Sequence, residues 1–281
     1  MQLVQVVLLS TLAILITYPK FTIALTSETE SRIYGGLNAN FTNFLYTAGL
    51  HVNDSNSILF CGGTLIAPQY ILTAGHCMEI AMHDIYVSLG SKFSSGGGTQ
   101  MSEMKRVVAA YRHPLYVLQP DIETVTHDVA VLKLESPSNL QPARLAASDG
   151  SDNKPGQMAT VLGWGRMDNE TFADILQSAD VEVITNDECT KQYTNAADDT
   201  IVDESVLCAG HGKNVDSCYG DSGGPLIVDD AIVGIVSCGP ESCGVLPGTY
   251  TRVTEVLDFI VEIINGGSTG NITDLLIKRS K

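Results

Sequence analysis

The chain has 281 residues, 44% of them hydrophobic and 17% charged, a composition that fits a globular protein and excludes a disordered or fibrous one. That length lies within the range of one all-β double barrel, so it does not require separate domains. Lys+Arg 16 against Asp+Glu 32 give a formal net charge of -16, which repels nucleic-acid phosphates and anionic lipid and leaves neither as an expected partner.

At the N-terminus, Leu3 to Ile16 is almost wholly apolar, interrupted by Gln5, Ser10 and Thr11, and is followed by Pro19, Lys20 and the small Ala24. This has the length of the apolar core of a secretory signal and is too short to span a bilayer comfortably. Residues 1–24 are therefore expected to be a signal peptide, with a signal anchor as the alternative. No later apolar run is long enough to cross a membrane, so no membrane contact is expected once the signal is removed. Export to an oxidising compartment makes Cys 7 a disulfide framework with one thiol left over. Sequons at Asn40, Asn53, Asn169 and Asn271 fit the same secreted, extracellular setting.

From Ile33 onward, short β-rich segments alternate with Gly, Asn, Asp and Pro turns: Leu45–Val52, Ser57–Leu65, Ile85–Leu89, Val129–Leu134, Ala159–Gly163, Leu226–Val228 and Ile232–Ser237. Such spacing predicts an all-β barrel or sandwich. One segment differs. Val256, Leu257, Ile260, Ile263 and Ile264 recur at helical spacing, with Thr254 as N-cap and Gly266 as stop, which predicts an amphipathic helix on the outside of the β structure. Beyond it, residues 267–281 are rich in Gly, Ser and Thr and basic at the tip. They read as a flexible tail, with a processing remnant or a contact arm as alternatives.

Three segments carry chemistry: Leu72-Thr73-Ala74-Gly75-His76-Cys77, His127-Asp128-Val129-Ala130-Val131-Leu132, and Asp216-Ser217-Cys218-Tyr219-Gly220-Asp221-Ser222-Gly223-Gly224-Pro225-Leu226. A serine hydroxyl is a weak nucleophile at neutral pH and needs a base within reach. An imidazole can take and return the proton, and a buried carboxylate can hold its tautomer. Singly, each segment has a bland counterpart: a structural His, a turn Asp, a glycine loop. The order His, Asp, Ser with all three flanks present tips the balance.

In these segments the chain resembles the chymotrypsin/trypsin family of serine proteases, from Ile33 to the end of the C-terminal helix. The resemblance implies two antiparallel Greek-key β-barrels, split near residue 145, over a protease domain of residues 33–266. It implies His76, Asp128 and Ser222 as the catalytic triad, with the N–H groups of Gly220 and Ser222 as oxyanion hole. His127 is read as a strand-entry residue without a catalytic role. Asp216, six positions before Ser222, falls at the base of the primary substrate pocket, with Gly239 and Gly248 as its walls. That implies cleavage of protein or peptide substrates after Arg or Lys. Ser31-Arg32-Ile33-Tyr34-Gly35-Gly36 resembles an activation site. Residues 25–32 would be released as an activation peptide, and the new Ile33 amine would pair with Asp221.

By the same resemblance, Cys61–Cys77, Cys189–Cys208 and Cys218–Cys243 are expected disulfides. Cys238 remains, where the family usually has Trp as an aromatic platform; a thiol there is expected to widen the adjoining subsite, with competition against Cys243 for Cys218 or a link to another molecule as alternatives. Gly75 in place of Ala and Tyr219 in place of Gln are smaller departures. No cofactor or metal is implied, and the loop Ser91–Gly98 lacks the acidic run of a calcium site. The chain is expected to act as a monomer and to meet proteinaceous protease inhibitors. A second reading, from another class, is a secreted homologue that binds or inhibits a partner with little or no catalysis. A purely structural domain would leave Asp216 and the activation site unexplained.

Overall fold

The computed structural model describes residues 33, 35–52, 59–80, 84–119, 124–167, 171–212, 215–240 and 242–277. The apolar N-terminal run, Arg32, the sequons at Asn53 and Asn169, and residues 278–281 lie outside them. The strand Gln177–Ile184 shows how the residues dictate the structure: Gln177, Ala179, Val181 and Val183 are buried while Asp180 is exposed. A period of two places one face in the core and the other in solvent.

Strands of this kind close into two antiparallel rings. Around the first, the order is Thr47–Val52, Leu59–Ala67, Tyr70–Thr73, Ala130–Leu134, Glu103–Arg112 and Ile85–Leu89, which pairs again with Thr47–Val52. Around the second it is Met158–Gly163, Gln177–Ile184, Val206–Ala209, Gly248–Arg252, Ala231–Cys238 and Pro225–Val228, which returns to Met158–Gly163. Both rings therefore share one Greek-key order, and closure leaves few strand edges exposed. The expected all-β double barrel is what the chain forms. Glu103–Arg112 and Val206–Ala209 had no clean apolar alternation to mark them, and they appear only as partners in the rings.

The barrels meet where glycines allow backbone to approach backbone. A methyl group on Gly223 (φ 81°) would lie 2.3 Å from Thr73 Oγ1, and one on Gly62 would lie 3.0 Å from Gly224 Cα. Across this seam the Gly62 N–H donates to the Ser222 carbonyl at 2.7 Å. The Ser222 turn of the second barrel is thus pinned against the strand end that leads to His76 in the first.

The three expected disulfides, Cys61–Cys77, Cys189–Cys208 and Cys218–Cys243, are present. Each closes a loop of 16, 19 or 25 residues, worth about 3 kcal/mol apiece as lost freedom of the unfolded chain. No helix among the described residues is long and apolar enough to cross a membrane. A helix that sequence reading missed, Asn186–Asn195, starts with Thr185 Oγ1 accepting from the Glu188 N–H at 3.1 Å. Thr185 followed three residues later by Glu188 is a capping signal legible in the sequence.

The expected C-terminal helix runs Leu257–Ile264 and buries Phe259, Ile260 and Ile263. Thr254 is not its N-cap. A 3-10 turn, Val253–Val256, leads directly into the helix and places Val256 at the cap position without a side-chain cap bond, while the Thr254 hydroxyl accepts from Asn153 Nδ2 at 3.4 Å. Gly266, with φ 90°, ends the helix as expected. The tail differs from the expectation of flexibility as far as Ile277. Ile272 and Leu276 pack on the core, and Asn271 bridges Tyr111. Partial burial of those two apolar side chains works against the entropy of ordering a Gly-rich segment.

Candidate active site

His76 follows the strand Tyr70–Thr73 and opens a short helical turn, Cys77–Ile80. Its backbone N–H donates to Asp128 Oδ1 at 2.7 Å, and its Nδ1 lies 2.7 Å from Asp128 Oδ2. Both carboxylate oxygens are therefore engaged by one residue, which fixes the imidazole's orientation and the proton on Nδ1. Asp128 is 1% exposed and receives a third bond from Ser237 Oγ at 2.6 Å, while its carbonyl accepts from Thr251 Oγ1 at 2.8 Å. Burial pushes the Asp128 carboxyl up, but the charge and bonds of His76 and the Ser237 hydroxyl outweigh it and hold the group below the usual range. For His76, burial disfavours the imidazolium, yet Asp128 more than compensates and raises its pKa. Ser237 and Thr251 were not identified from sequence; nothing but their position beside Cys238 and in the last barrel strand marks them.

Ser222 and His76 line one cleft of about 440 Å³, together with Glu79, Leu118, Val125, Ser217, Cys218, Tyr219, Gly239 and Cys238. Ser222 Oγ makes no hydrogen bond to His76 among the described residues; such bonds often tighten only around a bound reactant. Gly220 has φ 94°, a conformation that favours glycine. A methyl group there would lie 3.1 Å from Phe172 and 3.2 Å from Gly165 Cα. No hydrogen bond among the described residues uses the N–H of Gly220 or Ser222. A serine oxygen that shares a cleft with an oriented imidazole base can attack a carbonyl.

Asp216 is 2% exposed beneath Ser217. Its Oδ1 accepts from the Ser217 N–H at 2.7 Å and from Tyr250 OH at 3.1 Å. Burial pushes its carboxyl up to about 7 against those bonds. A methyl group on Gly248 would lie 2.4 Å from Asp216 Oδ1, whereas one on Gly239 would meet nothing within 4 Å. Gly248 thus makes room for the carboxylate, and Gly239 faces the open cleft. Tyr250, fully buried, is a partner of Asp216 that sequence reading did not single out.

Asp221 is also fully buried, and it accepts from the Gly165 N–H at 2.7 Å and the Cys218 N–H at 2.9 Å. Burial pushes it up to about 7. Ile33 is completely buried, with φ 45°. The two sulfurs nearest His76, of Cys61 and Cys77, are joined in a disulfide and so offer no thiolate to a metal. Cys238 takes no part in the three disulfides and ends the strand Ala231–Cys238 on the cleft wall. Asn40 and Asn271 are exposed.

His127, beside Asp128, stacks on His113 with ring centroids 5.0 Å apart, and His113 packs edge-on against Phe259 at 5.0 Å. Burial, with the charge of His127, lowers the His113 pKa to about 4. The unfolded chain then binds more protons between about pH 4 and the ordinary histidine value near 6.5, so folding stability is expected to rise with pH across that window and to be complete above it. Thermal unfolding midpoints measured from pH 4 to 7 should climb in the native chain and climb less steeply in His113→Gln; equal slopes would show that another group controls the window.

Two Greek-key barrels with a His–Asp couple facing a serine on a glycine-lined turn are the arrangement of double-barrel serine proteases. The family model described as "Trypsin" matches residues 33–260, and the chain belongs to that family. It is 36% identical over 258 residues to glucanase inhibitor protein 3 of Phytophthora infestans, covering 87% of this chain and 93% of that protein. To the trypsin of Saccharopolyspora erythraea it is 37% identical over 242 residues, covering 84% and 100%. Among solved structures, neuropsin, a serine protease expressed in the limbic system of mouse brain, superposes with a TM-score of 0.70 at 28% identity, covering 82% of this chain and 98% of that one.

Proposed function

We propose that the protein is a secreted serine endopeptidase that cuts peptide bonds after Arg or Lys and is held inactive until cleavage between Arg32 and Ile33. The observation that carries this reading is the cleft itself, which His76, oriented by a buried, three-bonded Asp128, shares with Ser222. In the proposed cycle Ser222 Oγ attacks the carbonyl carbon while His76 Nε2 takes the hydroxyl proton. Gly220 and Ser222 N–H groups hold the oxyanion. His76 then protonates the leaving amine, and a water repeats the sequence to release the acid. Asp216 supplies the charge that a guanidinium or ammonium pairs with. Before activation, Asp221 is a buried carboxyl pushed up to about 7; a free Ile33 amine would pair with it and stabilise the turn that carries Gly220. Signal removal and glycans on Asn40 and Asn271 belong to the same reading.

The test is hydrolysis of matched Arg, Lys and Phe peptides before and after limited cleavage at Arg32. Turnover of Arg and Lys peptides alone, appearing on cleavage, is the expected result. Turnover of the Phe peptide or activity unaffected by cleavage would overturn the specificity or the precursor step respectively.

A second reading is favoured by relatives such as glucanase inhibitor proteins 3 and 4 of Phytophthora infestans, 36% and 37% identical. In it, the same barrels bind and inhibit a glucanase. A fluorophosphonate, which labels only an activated serine, separates the two: labelling of Ser222 supports the peptidase, and inhibition of a glucanase without labelling supports the inhibitor.

A further inference from the structure

The match to the family model ends at residue 260, yet the C-terminal segment beyond the helix Leu257–Ile264 is built into the first barrel. The strand Glu103–Arg112 pairs with Ile85–Leu89 only through residues 103–106, so one side of its far half is open. The C-terminal segment covers it. The Arg112 N–H donates to the Gly270 carbonyl at 2.9 Å, the Ile272 N–H donates to the Ala110 carbonyl at 2.9 Å, and the Ala110 N–H donates to Thr273 Oγ1 at 3.1 Å. Gly270 (φ 66°) sits so close that a methyl group on it would overlap the Arg112 carbonyl oxygen. A short helix, Thr273–Ile277, completes the strap.

The residue gripped by this strap is bonded to a residue of the cleft. The Arg112 guanidinium lies 4.4 Å from the Tyr116 ring centroid and is hydrogen-bonded to Glu79, which lines the cleft. Tyr116 is held by contact rather than by its own polar group, because its buried hydroxyl has no hydrogen-bond partner among the described residues. A methyl group on Gly75 would lie 2.9 Å from Tyr116 Cδ2 and 3.2 Å from Asp128 Oδ1. Glycine at 75, where the family usually has alanine, thus lets this ring close on the peptide that precedes His76.

We propose that the C-terminal strap 266–277 acts through Arg112, a positioning residue, to press Tyr116 onto the Gly75–His76 peptide and so fix the imidazole relative to Ser222. This rests on the reading of His76 as the catalytic base. A strap made of two main-chain bonds, the Thr273 hydroxyl bond and one glycine contact sets the Arg112 backbone, the cation over the aromatic face sets the ring, and the ring sets the His76 backbone N–H on Asp128.

The test compares the chain ended after Gly266, Arg112→Gln and Arg112→Lys with the native protein, all cleaved at Arg32. Two readouts are taken: kcat and KM on an Arg peptide, and the proton NMR resonance of the His76 Nδ1–H. For the shortened chain and Arg112→Gln, kcat is expected to fall roughly 10- to 100-fold, with KM within about twofold and the resonance shifted or broadened. Arg112→Lys, which keeps a cation over the ring, should recover most of both. Unchanged kcat and resonance in a folded chain lacking the strap would overturn the proposal. If the shortened chain fails to fold, Arg112→Gln decides. The resonance requires neither Ser222 nor turnover, so it still decides the proposal if the native protein proves not to be a peptidase.

Discussion

Replacing Ser222 by alanine is expected to lower kcat on an Arg peptide by roughly 10⁶-fold, the scale seen when the nucleophile of such a triad is removed. The change deletes one oxygen at a residue that is only partly buried, so folding, the three disulfides and the His76–Asp128 couple should persist. Gly220 and residue 222 would still offer their N–H groups, so a residual acceleration of about 10³-fold over water is expected to remain. Fluorophosphonate labelling of the native protein and its loss in Ser222→Ala, together with peptide hydrolysis, check this. A variant that still turns over substrate at the native rate would show that Ser222 is not the nucleophile.

Asp216→Ser is expected to lower kcat/KM for Arg and Lys peptides by about 10²- to 10⁴-fold, the equivalent of the 3–5 kcal/mol that breaking a buried charge pair costs. Peptides with an apolar residue at the cut should lose nothing or gain. Burial pushes the Asp216 carboxyl up to about 7, and a guanidinium must bind the ionised form. Its affinity should therefore fall as pH drops below about 7, by up to tenfold per unit, and stay level above it. A guanidinium-bearing competitive inhibitor, titrated from pH 5 to 8, separates this slope from the protonation of His76 in the rate. In Asp216→Ser the slope should vanish. Retention of the slope would place the titrating group elsewhere, and unchanged preference for Arg would remove Asp216 from the specificity assignment.

The segments around His76, Asp128 and Ser222 could be singled out from sequence because each has an unusual local composition: glycines packed around a serine, a charged residue at the entry to an apolar strand, a histidine beside a cysteine. Local chemistry of that kind survives in one dimension. So did the alternating strands, the apolar face of Leu257–Ile264 and the stop at Gly266. The partners that hold the site in place were not legible, because they come from distant parts of the chain and are chemically ordinary. Ser237 and Thr251 on Asp128, Tyr250 on Asp216, and the N–H groups of Gly165 and Cys218 on Asp221 are a few common hydroxyls and main-chain groups. They become specific only when two barrels close and bury a carboxylate among them.

Composition also misjudged the tail. Gly, Ser and Thr in 266–270 imply a chain with little to bury, and Ile272, Leu275, Leu276 and Ile277 are too short a run to suggest otherwise. What decided its structure was the open side of Glu103–Arg112, an unpaired row of N–H and carbonyl groups created by the register of another strand. A sequence determines by itself what each segment can do locally, through side-chain period, backbone freedom and reactive groups. Which hydroxyl meets which carboxylate, and where a tail finds a strand to complete, depends on strand register and ring closure, and those are properties of the whole chain.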